Sequence, residues 1–287
     1  TKIHRDLYDI DNFEVSSINL HREPGIFNTT LDNVKSYGRP APTNSNELAF
    51  LLPCSQSSAQ SQVSKFVSHP HYQLKAAGEQ LVQNFKIEDT DVVMLDVPVT
   101  SSDGLNLIAA FFNAGATVVL PYEKTARGYK SSTANTLAVT SDTLESLYEW
   151  DKTQAGTLKD VLSTYKRVIV TGKGAVEARQ KLVDAVPGCP PVLISMASRD
   201  LGVNVLMSDP TAPEKLKAGP GVELRVVEKD GTKDVAAGAE GRLVAKGPTG
   251  AVFWNSHEEQ QSRLVDGWTG IEGVYKMQDD QVHIVSQ

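Results

Sequence analysis

Five short apolar runs, at residues 91–98, 116–120, 136–140, 167–171 and 191–195, constrain the fold of this chain more than any other feature. Each is nearly continuous in Val, Leu, Ile or Ala instead of alternating with polar residues, the mark of a strand buried on both faces. Between the runs the apolar spacing changes to three and four. Residues 105–113 read as a helix that Gly115 ends. Leu144, Leu147 and Tyr148 line a second helical face behind a cap at Ser141, and Val176, Ala178, Leu182 and Val183 mark a third. Alternation of this kind predicts an α/β fold, a mainly parallel sheet layered with helices on both faces and linked by right-handed crossovers.

The flanks read differently. Residues 1–45 mix Pro, Gly, Asn and charge with little periodicity and are expected to form an extended N-terminal arm. Residues 48–52 form another apolar run, expected as a strand buried on both faces. A loop at 55–64 made almost wholly of Ser and Gln follows, and then Tyr72, Leu74, Ala77, Leu81 and Phe85 at helical spacing. Strand, small-residue loop and helix is a geometry that holds phosphate, because backbone N–H groups converge at the helix N-terminus. This loop has no glycine, however, and no lysine before Lys65. Beyond Ala212 the pattern alternates at 223–228 and 242–246, with a turn at 229–231 and short runs at 253–254 and 281–285, as in an antiparallel, distorted barrel-like unit. The expected division is an arm at 1–45, an α/β subdomain at 46–214 and a smaller β-rich subdomain at 215–287.

Composition narrows the function classes. A net charge of -7 over 287 residues, without a basic stripe, argues against nucleic-acid or anionic-membrane partners. Cys54 and Cys189 are too few for a disulfide scaffold and suit a reducing compartment. No run approaches the roughly 18 apolar residues that a direct membrane span needs. The first residue is Thr, which points to an upstream presequence or longer N-terminal portion, and the location is read as intracellular, an organelle included if a presequence was removed. Gly172-Lys173-Gly174 fits neither a P-loop nor the dinucleotide fingerprint, since Glu177 stands at the third glycine, and reads as a strand-to-helix turn. Cys54 beside His69 or His71 reads as a small residue ending a strand, and His69-Pro70-His71 lacks a third metal ligand.

The C-terminal third carries a longer signature. Residues 219–227 (GPGVELRVV), Asp230-Gly231, Gly238, residues 240–244 (EGRLV), Gly247-Pro248, Phe253-Trp254 and Asp266-Gly267-Trp268 follow in one register. In order and spacing they resemble the adenylate-forming superfamily of acyl- and aryl-CoA synthetases, peptide-synthetase adenylation domains and luciferases. Residues 91–121 are similar to that family's Pro-x-x-His-x-x-Gly segment and its Gly-Ala-Thr-Val-Val-Leu strand; Gly104, Leu105, Gly115, Ala116 and Val119 match, and Ser101 takes the histidine position. The resemblance covers roughly residues 46–287, without the family's first portion or its lid domain, and is closer to the acyl-CoA synthetases.

The resemblance implies what a working site would hold. Joining a carboxylate to the α-phosphate of ATP needs phosphate donors, a metal ligand, a grip on the ribose and a lysine. The phosphate loop falls on residues 54–63, where Ser55, Ser57 and Ser58 keep hydroxyls but the glycines and lysine are gone. The family's Tyr-Gly-x-Thr-Glu falls on residues 195–199, so Ser198 keeps a hydroxyl while the magnesium-binding glutamate becomes Arg199, with Asp200 next to it. Ile271 stands at the ribose aspartate, leaving Glu272 as the candidate, and Gly172 and Gly174 border the adenine pocket. These seven positions, Ser55, Ser57, Ser58, Gly172, Gly174, Ser198 and Glu272, are read as a vestigial nucleotide pocket. No catalytic residue, metal ligand or cofactor is assigned. The expected function is a non-catalytic pseudoenzyme serving as a structural or binding subunit among protein partners. The alternative is a portion of an acyl-CoA synthetase or adenylating ligase that uses ATP, Mg and CoA.

Overall fold

The apolar run at 48–52 becomes β1 (Leu48–Pro53), which pairs antiparallel with β2 (Phe66–Pro70). Both belong to a three-stranded sheet completed by β12 (Val252–Trp254). β1 is an outer strand, with Leu48 43% exposed and Leu52 4%, so it is not buried on both faces as expected. A continuous apolar run does not say how many faces are covered when the partner is a returning antiparallel strand. β2 also stands between the Ser/Gln stretch and the first helix, so the chain does not run strand, loop, helix. The computed structural model describes residues 46, 48–53, 66–121, 123–130, 133–153, 156–228, 231, 233–248, 252–254 and 266–286, all within one unit of residues 45–287. The arm, Cys54, Ser55, Ser57 and Ser58 lie outside them.

From there strands and helices alternate as expected. α1 (His71–Phe85), β3 (Val92–Asp96), α2 (Ser102–Ala114), β4 (Thr117–Val119), α3 (Ala126–Tyr129) and β5 (Thr136–Thr140) come first. α4 (Ser141–Thr153), α5 (Thr157–Leu162), β6 (Arg167–Thr171), α6 (Ala175–Ala185) and β7 (Val192–Ser198) follow. The five strands run parallel in the order β4-β3-β5-β6-β7. The sheet then continues antiparallel through β8 (Val203–Asp209), β9 (Ala212–Ala218), β15 (Gln281–Ser286) and β14 (Val274–Gln278) to nine strands, half of its pairings parallel and half antiparallel. The third sheet holds β10 (Glu223–Val227), β11 (Arg242–Lys246) and β13 (Thr269–Gly270).

Strand alternation divides the core. Val93, Leu95, Ala138, Ile169 and Leu193 face α1 and α2, while Met94, Leu137, Val139, Val168, Val170 and Ile194 face α4, α5 and α6. With both faces covered, the central positions of the parallel strands are apolar, which is why the runs are continuous. A third cluster joins Val203, Val205 and Leu206 to Val226, Leu243, Tyr275 and Val282. Among the described residues no helix is long and apolar enough to cross a membrane.

Helix ends are set locally. Ser101 Oγ accepts the Gly104 N–H at 3.0 Å at the start of α2, and Gly115, at φ +76°, closes its other end. Gly104 tolerates no side chain, because a Cβ there would lie 2.1 Å from the Pro98 carbonyl oxygen. α4 is capped by Thr140, whose Oγ1 accepts the Thr143 N–H at 3.1 Å, and not by Ser141. Ser141 instead donates to the Lys173 carbonyl at 2.5 Å, which fixes the turn that follows β6 against α4.

Candidate functional site

The C-terminal ends of the parallel strands point at one open cleft of about 260 Å3. This is where an open α/β sheet places its ligand, since the loops and helix N-termini at that edge supply unpaired N–H groups. Three elements of the large sheet build most of it. The start of α2 brings Ser101, Ser102 and Asp103; the turn after β6 brings Gly172 and Lys173; the end of β7 and the turn into β8 bring residues 196–200. Gly270, Ile271, Glu272 and Tyr275 close the remaining side.

Of the seven positions read as a nucleotide pocket, Gly172, Ser198 and Glu272 meet on this cleft. Gly174 is not on its lining and serves as the N-cap of α6 at φ +77°. Ser198 is 8% exposed; its Oγ accepts the Leu201 N–H at 3.3 Å and its carbonyl accepts the Gly202 N–H at 2.7 Å, which closes the turn that carries Arg199 and Asp200. Gly202, at φ +67°, lets that turn close beside His69 and Gln73. Glu272 stands exposed at the rim, and its carbonyl accepts the Tyr275 hydroxyl at 2.6 Å. Ser101, at the family's histidine position, lines the cleft, but its hydroxyl is taken up by the cap and by donation to the Pro98 carbonyl at 2.7 Å.

Asp103 and Ser102 are among the cleft residues that had no site role in the sequence. Asp103, in the first turn of α2, is half-buried, and its Oδ1 accepts the Ala197 N–H at 2.9 Å. Burial pushes its carboxyl up to about 6, against the opposing pull of that N–H and of the Arg199 charge. Ser102 is 6% exposed, and its Oγ has no hydrogen-bond partner among the described residues. In the sequence both precede the apolar spacing at 105–113 that reads as the helix. An acid or hydroxyl in a first turn fits the helix dipole whether or not it also faces a site.

Among the described residues Arg199 and Lys173 are the cations on the cleft, and Asp103, Asp200 and Glu272 the carboxylates. Among the described residues no three His, Cys, Asp or Glu side chains converge as a metal-ligand set. A guanidinium, that of Arg199, stands at the position that the resemblance gives to a magnesium ligand. His69 turns inward, 2% exposed, with Nδ1 3.0 Å from Gln73 Oε1, whereas His71 is exposed at the start of α1, so the two do not form a site together.

Known proteins match this architecture. No family profile matches the chain. Over 69 residues, 24% of this chain and 13% of the other, it is 32% identical to a benzoate-CoA ligase of Thauera aromatica. Among solved structures, ATP-bound MatB from Rhodopseudomonas palustris superposes with a TM-score of 0.71 at 19% identity, over 86% of this chain and 49% of that one. A benzoate-CoA ligase from Burkholderia xenovorans LB400 gives 0.69 at 19%, over 87% and 51%. A malonyl-CoA ligase with methylmalonyl-CoA and AMP bound gives 0.72 at 15%, over 86% and 54%. The chain spans about half the length of these structures. It therefore shares the fold of these ligase structures, over about half of their length.

Proposed function

We propose that this protein is a non-catalytic member of the adenylate-forming fold, a pseudoenzyme that works as a structural or binding subunit with protein partners in a larger assembly. One observation carries the reading. Arg199 lines the cleft where the sequence resemblance expects the magnesium-binding glutamate, so the position that should attract a metal repels it. Ser101 supports it, since a hydroxyl engaged in a helix cap stands where the family has an imidazole. The test is ATP–pyrophosphate exchange with a panel of carboxylic acids that includes benzoate and malonate. Exchange at background level with every acid is expected, and clear exchange with any of them overturns the reading.

A second reading has its own support. The stretch that is 32% identical to a benzoate-CoA ligase, together with coverage of about half of the solved ligases, suits a portion of a CoA ligase that activates a carboxylic acid with ATP, Mg and CoA. Formation of an acyl-CoA by the protein purified from its source would decide for it.

A further inference from the structure

We infer that a single water molecule is bound behind the floor of the cleft, donating a hydrogen bond to Nε2 of His69 and sharing another with Oγ of Ser102, so that it joins β2 to α2. This site holds whether or not the cleft turns over a substrate. Both side chains line one void of about 10 Å3, whose other walls include Phe50, Leu74 and Leu105. Such a volume is about one water molecule's worth.

His69 is 2% exposed and Ser102 6%, and neither His69 Nε2 nor Ser102 Oγ has a hydrogen-bond partner among the described residues. Polar atoms at this depth are rarely left unpaired, because the desolvation they suffer exceeds what one hydrogen bond ordinarily contributes. Gln73 decides what the imidazole needs. This fully buried amide donates through Nε2 to the Leu201 carbonyl, which can only accept, so Oε1 is the atom that lies 3.0 Å from His69 Nδ1. Oε1 can only accept as well, so the ring proton sits on Nδ1 and Nε2 carries a lone pair. Burial holds the imidazole below its usual pKa, more than the Gln73 bond raises it, and the Arg199 charge lowers it further. A second proton on Nε2 is therefore disfavoured at neutral pH, and Nε2 requires a donor. The Ser102 hydroxyl does not bond it directly, whereas a water in the shared void reaches both. A hydroxyl donates or accepts, so Ser102 suits either remaining side of that water, and two partners meet the minimum that a buried water needs. Ser102 also lines the cleft, from which water enters the void.

The test is a crystal structure of the full chain that resolves ordered water, joined to nitrogen NMR of labelled histidine and a double-mutant cycle of Ser102→Ala and His69→Phe in urea unfolding. A water peak within about 3.2 Å of both atoms is expected. Nε2 of His69 should be unprotonated at pH 7. The cycle should show a coupling of about threefold to tenfold in the unfolding constant, between side chains that do not hydrogen-bond each other. A void without water density, a water bonded to only one of the two atoms, a protonated Nε2, or additive substitutions would each overturn the inference. Should His69→Phe not fold, the crystal structure and the spectra of the unaltered protein still decide. None of these readouts involves pyrophosphate exchange, so the inference and the non-catalytic reading fail separately.

Discussion

Replacing Asp103 with Asn removes a cleft carboxylate whose ionisation the fold opposes. Burial raises this carboxyl from 3.8 to about 6, more than the Ala197 N–H and Arg199 lower it. The unfolded chain gives up the proton near 3.8 while the folded chain keeps it until about 6, so the folded state binds more protons in between. Stability must therefore fall as pH rises through that window. The gap corresponds to roughly 3 kcal/mol at full effect. Because Asp103 is only half-buried and solvent screens part of the field, about 1–3 kcal/mol is the range to expect. Asn keeps an Oδ1 to accept the Ala197 N–H and cannot ionise. Urea unfolding of both proteins between pH 4 and pH 7.5 measures the difference. The variant should be more stable by that amount at pH 7.5, and the gain should shrink to nothing near pH 4. Two curves that stay parallel over the whole range, or a variant less stable at pH 7.5, would refute the electrostatic account of the cleft floor.

Three further substitutions probe the frame. Asn204→Ala should cost about 3–5 kcal/mol in urea unfolding, because Nδ2 of this fully buried residue donates to the Ala77 carbonyl at 2.9 Å and Oδ1 accepts from Ser195 and Asn106, leaving several buried groups unpaired. Gly104→Ala should cost about 3 kcal/mol through the collision with the Pro98 carbonyl, whereas Gly156→Ala, at φ +88° with nothing within 4 Å, should cost only the left-handed backbone term of about 1–2 kcal/mol; thermal melts of the pair compare the two.

The parallel half of the sheet was legible because both its faces are covered, which forces residues such as Val168, Ile169 and Val170 to be apolar without interruption. β8 was not. It carries Asn204 and Ser208, both fully buried, and Ser208 Oγ accepts the Ile194 N–H at 2.8 Å while donating to the Pro213 carbonyl at 2.8 Å. Polar residues satisfied inside the sheet look, in sequence, like a loop. β2 was hidden in the same way by Ser68 and His69, both buried. At the site, the turn after β6 and residues 198–200 were found through the resemblance, whereas Asp103 and Ser102 could be seen only once α2 was laid beside β7.

What keeps the fold and what sets the chemistry are different residues here. Leu137, Ile169, Val203 and Leu243 are fully buried, while Arg199, Asp200 and Glu272 stand half-buried or exposed on a turn and a rim. Substitution at Arg199, Asp200 or Glu272 therefore removes nothing from the core, and a fold shared at 19% identity carries no chemistry by itself. The relative magnitudes then decide which cleft residue matters most. A hydroxyl such as that of Ser198 contributes about 1 kcal/mol per hydrogen bond, whereas two unit charges 4 Å apart near a protein surface interact by about 4 kcal/mol. A guanidinium where the resemblance expects a carboxylate reverses the sign of that larger quantity on the proposed reading. On the proposed reading Arg199, more than any hydroxyl, sets what the cleft can hold.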